Sequence, residues 1–260
     1  MKNLCRDLVN EHDDLDKMVC NLSDEKWLTV TPFSNWTIKD EIGHLAYFDD
    51  KARLAATDQN GFNTHLEDMI KGFTNFEDHV EETLKKPRSM TPTELMKWWR
   101  DERNILMKAV EILDPKDRLP WYGPPMSVRS FVTARLMETW AHGQDVADTL
   151  GIKREPTNRL KHIAHLGVRT YGWSFKNRQM EVPDEIVRVE LESPSGEIWE
   201  WGEFGSENII TGPAEDFCLV VSQRRNVKDT GLTVTGSAAT KWMLYAQAFA
   251  GPPEDGPAAL

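Results

Sequence analysis

The stretch SVRSFVTARLMETWAHGQDVADTL, residues 127–150, constrains the chain more than any other. Ser127 is a capping residue, Gly151 follows the last turn, and no proline interrupts the run. The pattern predicts one long helix. At about 100° per residue, Glu138 and His142 project from the same face, one turn apart. A carboxylate and an imidazole so placed can grip a divalent cation if a third ligand comes from elsewhere. His44, in NWTIKDEIGHLAYFDD, is the candidate. Two imidazoles and one carboxylate leave coordination positions open for water or substrate, as chemistry at a metal requires. The same Glu–His spacing also arises on solvated helix faces, so spacing alone leaves both readings open.

The rest of the N-terminal half repeats the helical period. Leu4, Leu8, Leu15, Met18 and Leu22 predict an amphipathic helix over residues 2–22, and Ser23 to Trp27 a capped turn. Thr37 can cap a second helix reaching about Ala56, with acidic Asp40 and Glu41 in its first turn. Residues 62–85 predict a more polar helix, and Thr91-Pro92 opens another that ends at Asp114-Pro115. Four long helices of this kind describe a bundle over residues 1–152. Beyond Gly151 the character changes. After a helix from Thr157 to about Trp173, the period becomes two in VRVELES and EIWEWGE, with Pro-Ser-Gly between them as a hairpin turn. Then follow a strand end and helix in IITGPAEDFCLVVSQRR, a short strand in LTVTG, and a last helix in SAATKWMLYAQAFAG. The expectation is an α+β protein: a helical bundle, a small α+β domain over residues 153–253, and a flexible tail over 254–260.

Charge and cysteine usage narrow the function. A net charge of −11 without a basic patch argues against a nucleic-acid surface. Cys5, Cys20 and Cys218 show no CxxC spacing, which fits free thiols in a reducing compartment. No apolar run is long enough for a signal peptide or a membrane span, so a cytoplasmic location is expected. No GxSxG, P-loop or Rossmann glycine pattern is present.

Two segments carry a family resemblance. WTIKDEIGHLAYFD resembles the N-terminal signature of the mycothiol-dependent maleylpyruvate isomerase group of the DinB-like superfamily, where a Trp-Thr helix start leads to a metal-binding His. METWAHGQDVADTLG resembles that group's second signature, with a Glu and a His four apart. The stretch TGPAEDFCLVVSQRR through VTGSAATKWMLYAQAFAGPP resembles the second domain of a two-domain subgroup. The resemblance implies a DinB-like four-helix bundle and, as metal ligands, His44, Glu138 and His142. Zinc is the expected ion, and nickel or iron accept the same ligands. It further implies a low-molecular-weight thiol, whose thiolate adds to an activated double bond and leaves after rotation, or is transferred. An Arg of the second domain is implied to hold a small acidic substrate. Arg224 matches it best by position and Arg225 is the fallback, although this chain reads Gln223-Arg224-Arg225 where the isomerase has Gly-Arg.

Other residues admit two readings. Asp145, three after His142, can orient that ligand or be a solvated neighbour. Trp121 and Tyr122, in RLPWYGPPM, can line the pocket mouth or simply pack. Arg135 can pair with Glu138, contact an anionic substrate, or form a structural salt bridge. His162 and His165 lack a carboxylate-rich partner segment for a second metal, and His12, His65 and His79 read as solvated histidines among acids. Cys218, in DFCLVV, reads as a buried inert thiol. The leading expectation is a metal-dependent, thiol-using isomerase or S-transferase. A metal-activated-water hydrolase or lyase is distinguished by turnover without thiol, and a non-catalytic binding protein by a closed ligand shell.

Overall fold

In a computed structural model that describes residues 1–33, 35–72 and 76–260, with backbone alone for 76 and 77, the chain divides into two units, Met1–Lys153 and Arg154–Leu260. The first is helical. It runs through α1 (Lys2–Val19), the short α2 (Asp24–Trp27), α3 (Ile38–Thr57), α4 (Gln59–Gly72), α5 (Phe76–Ser89), α6 (Pro92–Glu111) and α7 (Val128–Leu150). A two-residue ladder of β1 (Arg118–Leu119) with β2 (Met126–Ser127) precedes α7.

Local chemistry starts these helices. The Thr37 hydroxyl accepts the Asp40 N–H at 3.2 Å while the Asp40 carboxylate accepts the Thr37 N–H at 3.1 Å. Thr91 and Glu94 repeat this capping box at α6, with Pro92 in its first turn. Ser127 caps α7 by accepting the Ser130 N–H, and Gly151 ends it at φ 65°, a left-handed conformation that glycine adopts without strain. Each such N-cap contributes about 1 kcal/mol. The polar helix expected over 62–85 is carried by α4 and α5, and the residues between them lie outside those described. α5 continues through Pro87 to Ser89.

α3 packs against α5, α6 and α7, and α1 packs against α7 and α6. Leu15, Val19, Ile38, Ile42, Leu45, Leu95, Trp99 and Val146 fill one core between them. Fully burying an aliphatic side chain of this size stabilises by roughly 1.5–3 kcal/mol. α7 is enclosed on nearly all sides: Phe131, Leu136 and Val146 are buried, but so are Arg135, Thr139, His142 and Asp145. Polar groups so placed need partners, because a buried unpaired one costs the loss of its water contacts.

The second unit contains α8 (Leu160–Arg169), α9 (Tyr171–Lys176), β3 (Val187–Glu192), β4 (Ile198–Trp201), β5 (Asn208–Pro213), α10 (Ala214–Val221), β6 (Thr233–Thr235) and α11 (Ser237–Tyr245). The sheet order is β4-β3-β5-β6. The expected hairpin is β3 with β4, while β3 and β5 pair in parallel, Val189 opposite Ile210. α10 packs on α8, β5 and β3. The Asn208 side chain accepts the Ala238 N–H at 2.9 Å, tying the start of β5 to the start of α11. The architecture is therefore α+β, with a helical N-terminal part and a small sheet-and-helix C-terminal part. Among the described residues no helix is long and apolar enough to cross a membrane.

Candidate metal centre

Two helices bring the three expected ligands together. Glu138 and His142 stand one turn apart on α7, and His44 faces them from α3. The Glu138 Oε2 lies 3.4 Å from His44 Nε2 and 3.3 Å from His142 Nε2. One ligand atom from each residue falls within 4.8 Å of the other two. Donors about 2.1 Å from a tetrahedral zinc ion stand about 3.4 Å apart, so this set fits a single ion. The His44 and Glu138 side chains keep 17% and 22% of their surface exposed and His142 keeps 5%, leaving one side open.

Aromatic rings surround the imidazoles. His44 lies 4.6 Å from the Phe48 ring and 5.2 Å from Trp36, and His142 lies 5.4 Å from Phe33. Burial, with His142 beside it, pushes the His44 imidazole down to about 4, which leaves it unprotonated at neutral pH. Burial alone would raise the Glu138 carboxyl, but the His142 and His44 imidazoles beside it outweigh that and hold Glu138 well below the carboxylate range. His44 is thus neutral and Glu138 ionised, the states in which each can bind a divalent cation.

A second group of residues shares His142. Its Nδ1 lies 2.7 Å from the Glu41 Oε2 and 3.8 Å from the Asp145 Oδ2. Glu41, His142 and Asp145 are all buried and form the second constellation of metal-ligating type among the described residues. The Thr31 hydroxyl donates to Glu41 at 2.5 Å. Sequence reasoning placed Asp145 beside His142 but missed Glu41. The signal was available: Glu41 sits on the helix face of Ile38, Ile42 and Leu45, where a carboxylate must find a partner.

The remaining candidates divide. Arg135 lies deeper, its Nε donating to Asp49 at 3.0 Å, so it is a structural ion pair. Trp121 stacks on Phe62 and packs on Phe131, and Tyr122 bonds His65 at 2.9 Å. Both also pack on Phe48, whose ring meets His44. Three histidines correct the expectation of solvation. His12 is 1% exposed and faces Asp49 and Trp99, while His65 and His79 are half-buried around Tyr122. In the second unit, Arg224 and Arg225 follow α10, with Arg224 Nη1 donating to the Ser222 carbonyl. His165 accepts the Trp201 indole N–H, and Cys218 is buried, its thiol pushed well above its usual value by burial.

The family model for the mycothiol maleylpyruvate isomerase N-terminal domain matches residues 8–147, more than half of the chain. The chain belongs to that family. The match takes in His44, Glu138 and His142, whereas Arg224 and Arg225 lie beyond it. Within this isomerase-like family, an uncharacterized protein of Mycobacterium tuberculosis, found in strains CDC 1551 and H37Rv, is 44% identical over 250 residues, covering 96% of both chains. Among solved structures, a mutant of the mycothiol-dependent maleylpyruvate isomerase superposes with a TM-score of 0.60 at 13% identity. The unmutated isomerase gives 0.58 at 12% identity, and each likeness covers 90% of this chain and 92% of the other. At that identity the likeness speaks for a shared fold.

Proposed function

We propose that this protein is a metal-dependent enzyme of thiol chemistry, with one divalent ion, zinc first, held by His44, Glu138 and His142. The observation that carries this is the meeting of three donors, from helices far apart in the chain, with Glu138 3.3–3.4 Å from each imidazole and one side open. A bound divalent ion supplies charge that lowers the pKa of a thiol, making the nucleophilic thiolate available at neutral pH.

The chain's own residues set the conditions. Glu138 is the one carboxylate of the donor set, so a bound divalent ion would keep positive charge to attract an anionic sulfur. Phe33, Trp36 and Phe48 shield the imidazoles from water, which strengthens charge interactions there. Arg224, with Arg225 as the fallback, is the proposed anchor for the acidic group of a small electrophile. Its support is sequence position after α10 and the resemblance of the segment TGPAEDFCLVVSQRR.

The reaction proposed is isomerisation or S-transfer on that electrophile. Metal analysis of the purified protein and of His142→Ala tests the site, with near-stoichiometric metal expected in the first and none in the second. Undiminished metal in the variant overturns the ligand set. Turnover of activated-alkene acids, with and without added low-molecular-weight thiol, tests the chemistry. Thiol-independent turnover would overturn it in favour of metal-activated water.

A further inference from the structure

His142 stands where a half-open and a buried constellation overlap, and the chemistry of its two nitrogens separates them. On one side Nδ1 meets the Glu41 carboxylate at 2.7 Å, and on the other Nε2 meets the Glu138 carboxylate at 3.3 Å. Glu41 is fully buried, with its other oxygen taken by the Thr31 hydroxyl. A contact of 2.7 Å between an imidazole nitrogen and a carboxylate oxygen is a charge-assisted hydrogen bond, and it needs a proton on the nitrogen. A neutral imidazole with its proton on Nδ1 carries its lone pair on Nε2. That lone pair then faces the Glu138 carboxylate, acceptor against acceptor, an arrangement a cation between them would hold.

We propose that Glu41 is the positioning residue of this centre: it fixes the Nδ1–H tautomer and the ring orientation of His142, so that Nε2 is the ligand atom. The deeper group of Glu41, His142 and Asp145 is accordingly the support for the site and not a second place for the ion. Asp145, at 3.8 Å from Nδ1, is too far to share the bond in this arrangement. Glu41 lies one helical turn before His44 on α3, so the same turn that delivers one ligand orients the other. This inference rests on the proposed metal site, but the tautomer can be read without any metal.

The test has two arms. In the metal-free protein labelled with 15N-histidine, two-bond proton–nitrogen spectra report the tautomer of His142, assigned by its loss in His142→Gln. The wild type is expected to show a proton held on Nδ1, Glu41→Gln to retain it, and Glu41→Ala to lose that preference and give a mixture. In the second arm, zinc is titrated against a chromophoric chelator. Glu41→Ala is expected to bind one zinc about 10- to 100-fold more weakly than wild type, the usual loss when a group orienting a metal-bound His is removed. Glu41→Gln, whose amide oxygen can still accept from Nδ1, should recover part of that loss. Should Glu41→Ala not fold, Thr31→Val replaces it, with a several-fold weaker zinc site expected.

An Nε2–H tautomer in the wild type overturns the proposal, and so does zinc affinity in Glu41→Ala within twofold of wild type. A folded Glu41→Ala that takes up no zinc at saturating concentration also overturns it, since Glu41 would then be a ligand itself. If the wild type binds no zinc, the metal reading falls, and the tautomer arm alone decides the role of Glu41.

Discussion

Arg135 and Asp49 form an ion pair across α7 and α3, with 3.0 Å between Nε and Oδ1 and almost no solvent contact on either side chain. Asp49 also accepts the Trp99 indole N–H at 3.1 Å, and His12 approaches it to 3.7 Å. The pair joins α3 to α7, and the Trp99 indole ties it to α6. Removing one partner of a buried pair leaves the other uncompensated, at a cost of about 3–5 kcal/mol. Arg135→Met is therefore expected to destabilise the first unit by that amount in urea unfolding. A change below about 1 kcal/mol would show that water or a neighbouring base takes over the Asp49 charge.

Gly43, beside His44, has no room for a side chain. A Cβ there would lie 2.5 Å from Pro87 Cβ and 3.0 Å from its Cγ, so α3 and α5 meet at this residue. Alanine favours a helix by about 1 kcal/mol over glycine, but the opposing atoms belong to a stiff ring. Overpacking of this kind costs about 1–3 kcal/mol, so the clash should win. Gly43→Ala is expected to lower the melting temperature and to weaken zinc binding through the displaced His44. A stabilised variant would mean that α5 yields easily.

These two contacts also mark where sequence reading stops. The start of α7 at Ser127, its end at Gly151 and the Glu138–His142 spacing are local and could be read directly. His44 could be placed because its helix start, Trp36-Thr37, is local too. In sequence Asp40 and Glu41 read together as an acidic first turn, although the capping box uses Asp40 and leaves Glu41 on the core face. The expectation for His12 fails for a similar reason. Its neighbours Glu11, Asp13 and Asp14 suggest a polar face, but Leu8, His12 and Leu15 follow the buried stripe of α1. The parallel pairing of β3 with β5 depends on which distant strands meet, and no residue pattern within either strand encodes that.

His12 makes the first unit sensitive to acid. Burial, together with the Arg103 and Arg135 charges, holds its imidazole well below the usual value, although Asp16 pulls the other way. In the unfolded chain His12 takes up a proton below about pH 6.5, while in the folded protein it stays neutral. The unfolded state then binds more protons, so stability is complete above about pH 6.5 and falls as the pH drops toward the folded value, by up to about 1.4 kcal/mol per pH unit for this residue. Urea midpoints measured between pH 7 and pH 5 should decline in wild type and decline less steeply in His12→Gln. Parallel lines for the two proteins would assign the slope to the other depressed histidines.

Zinc should stabilise the fold mainly when His44 is present. Glu138 and His142 come from one helix and keep their spacing whatever α3 does, so two donors survive in His44→Ala. A third donor from α3 raises the affinity and ties the ion to tertiary structure, so most of the stabilisation should depend on it. At free zinc about 100-fold above the dissociation constant, the folded state gains about 2.7 kcal/mol, which is about 5–10 °C in melting temperature for a unit of this size. Because burial pushes His44 down to about 4, no proton need leave it for zinc to bind at neutral pH. The His44 contribution to the gain should therefore hold at neutral pH and be lost as His44 protonates near pH 4. In His44→Ala the zinc-induced shift is expected to be below about 2 °C, measured by thermal unfolding with and without chelator. A full shift in the variant would place the ion on α7 alone and remove α3 from the site.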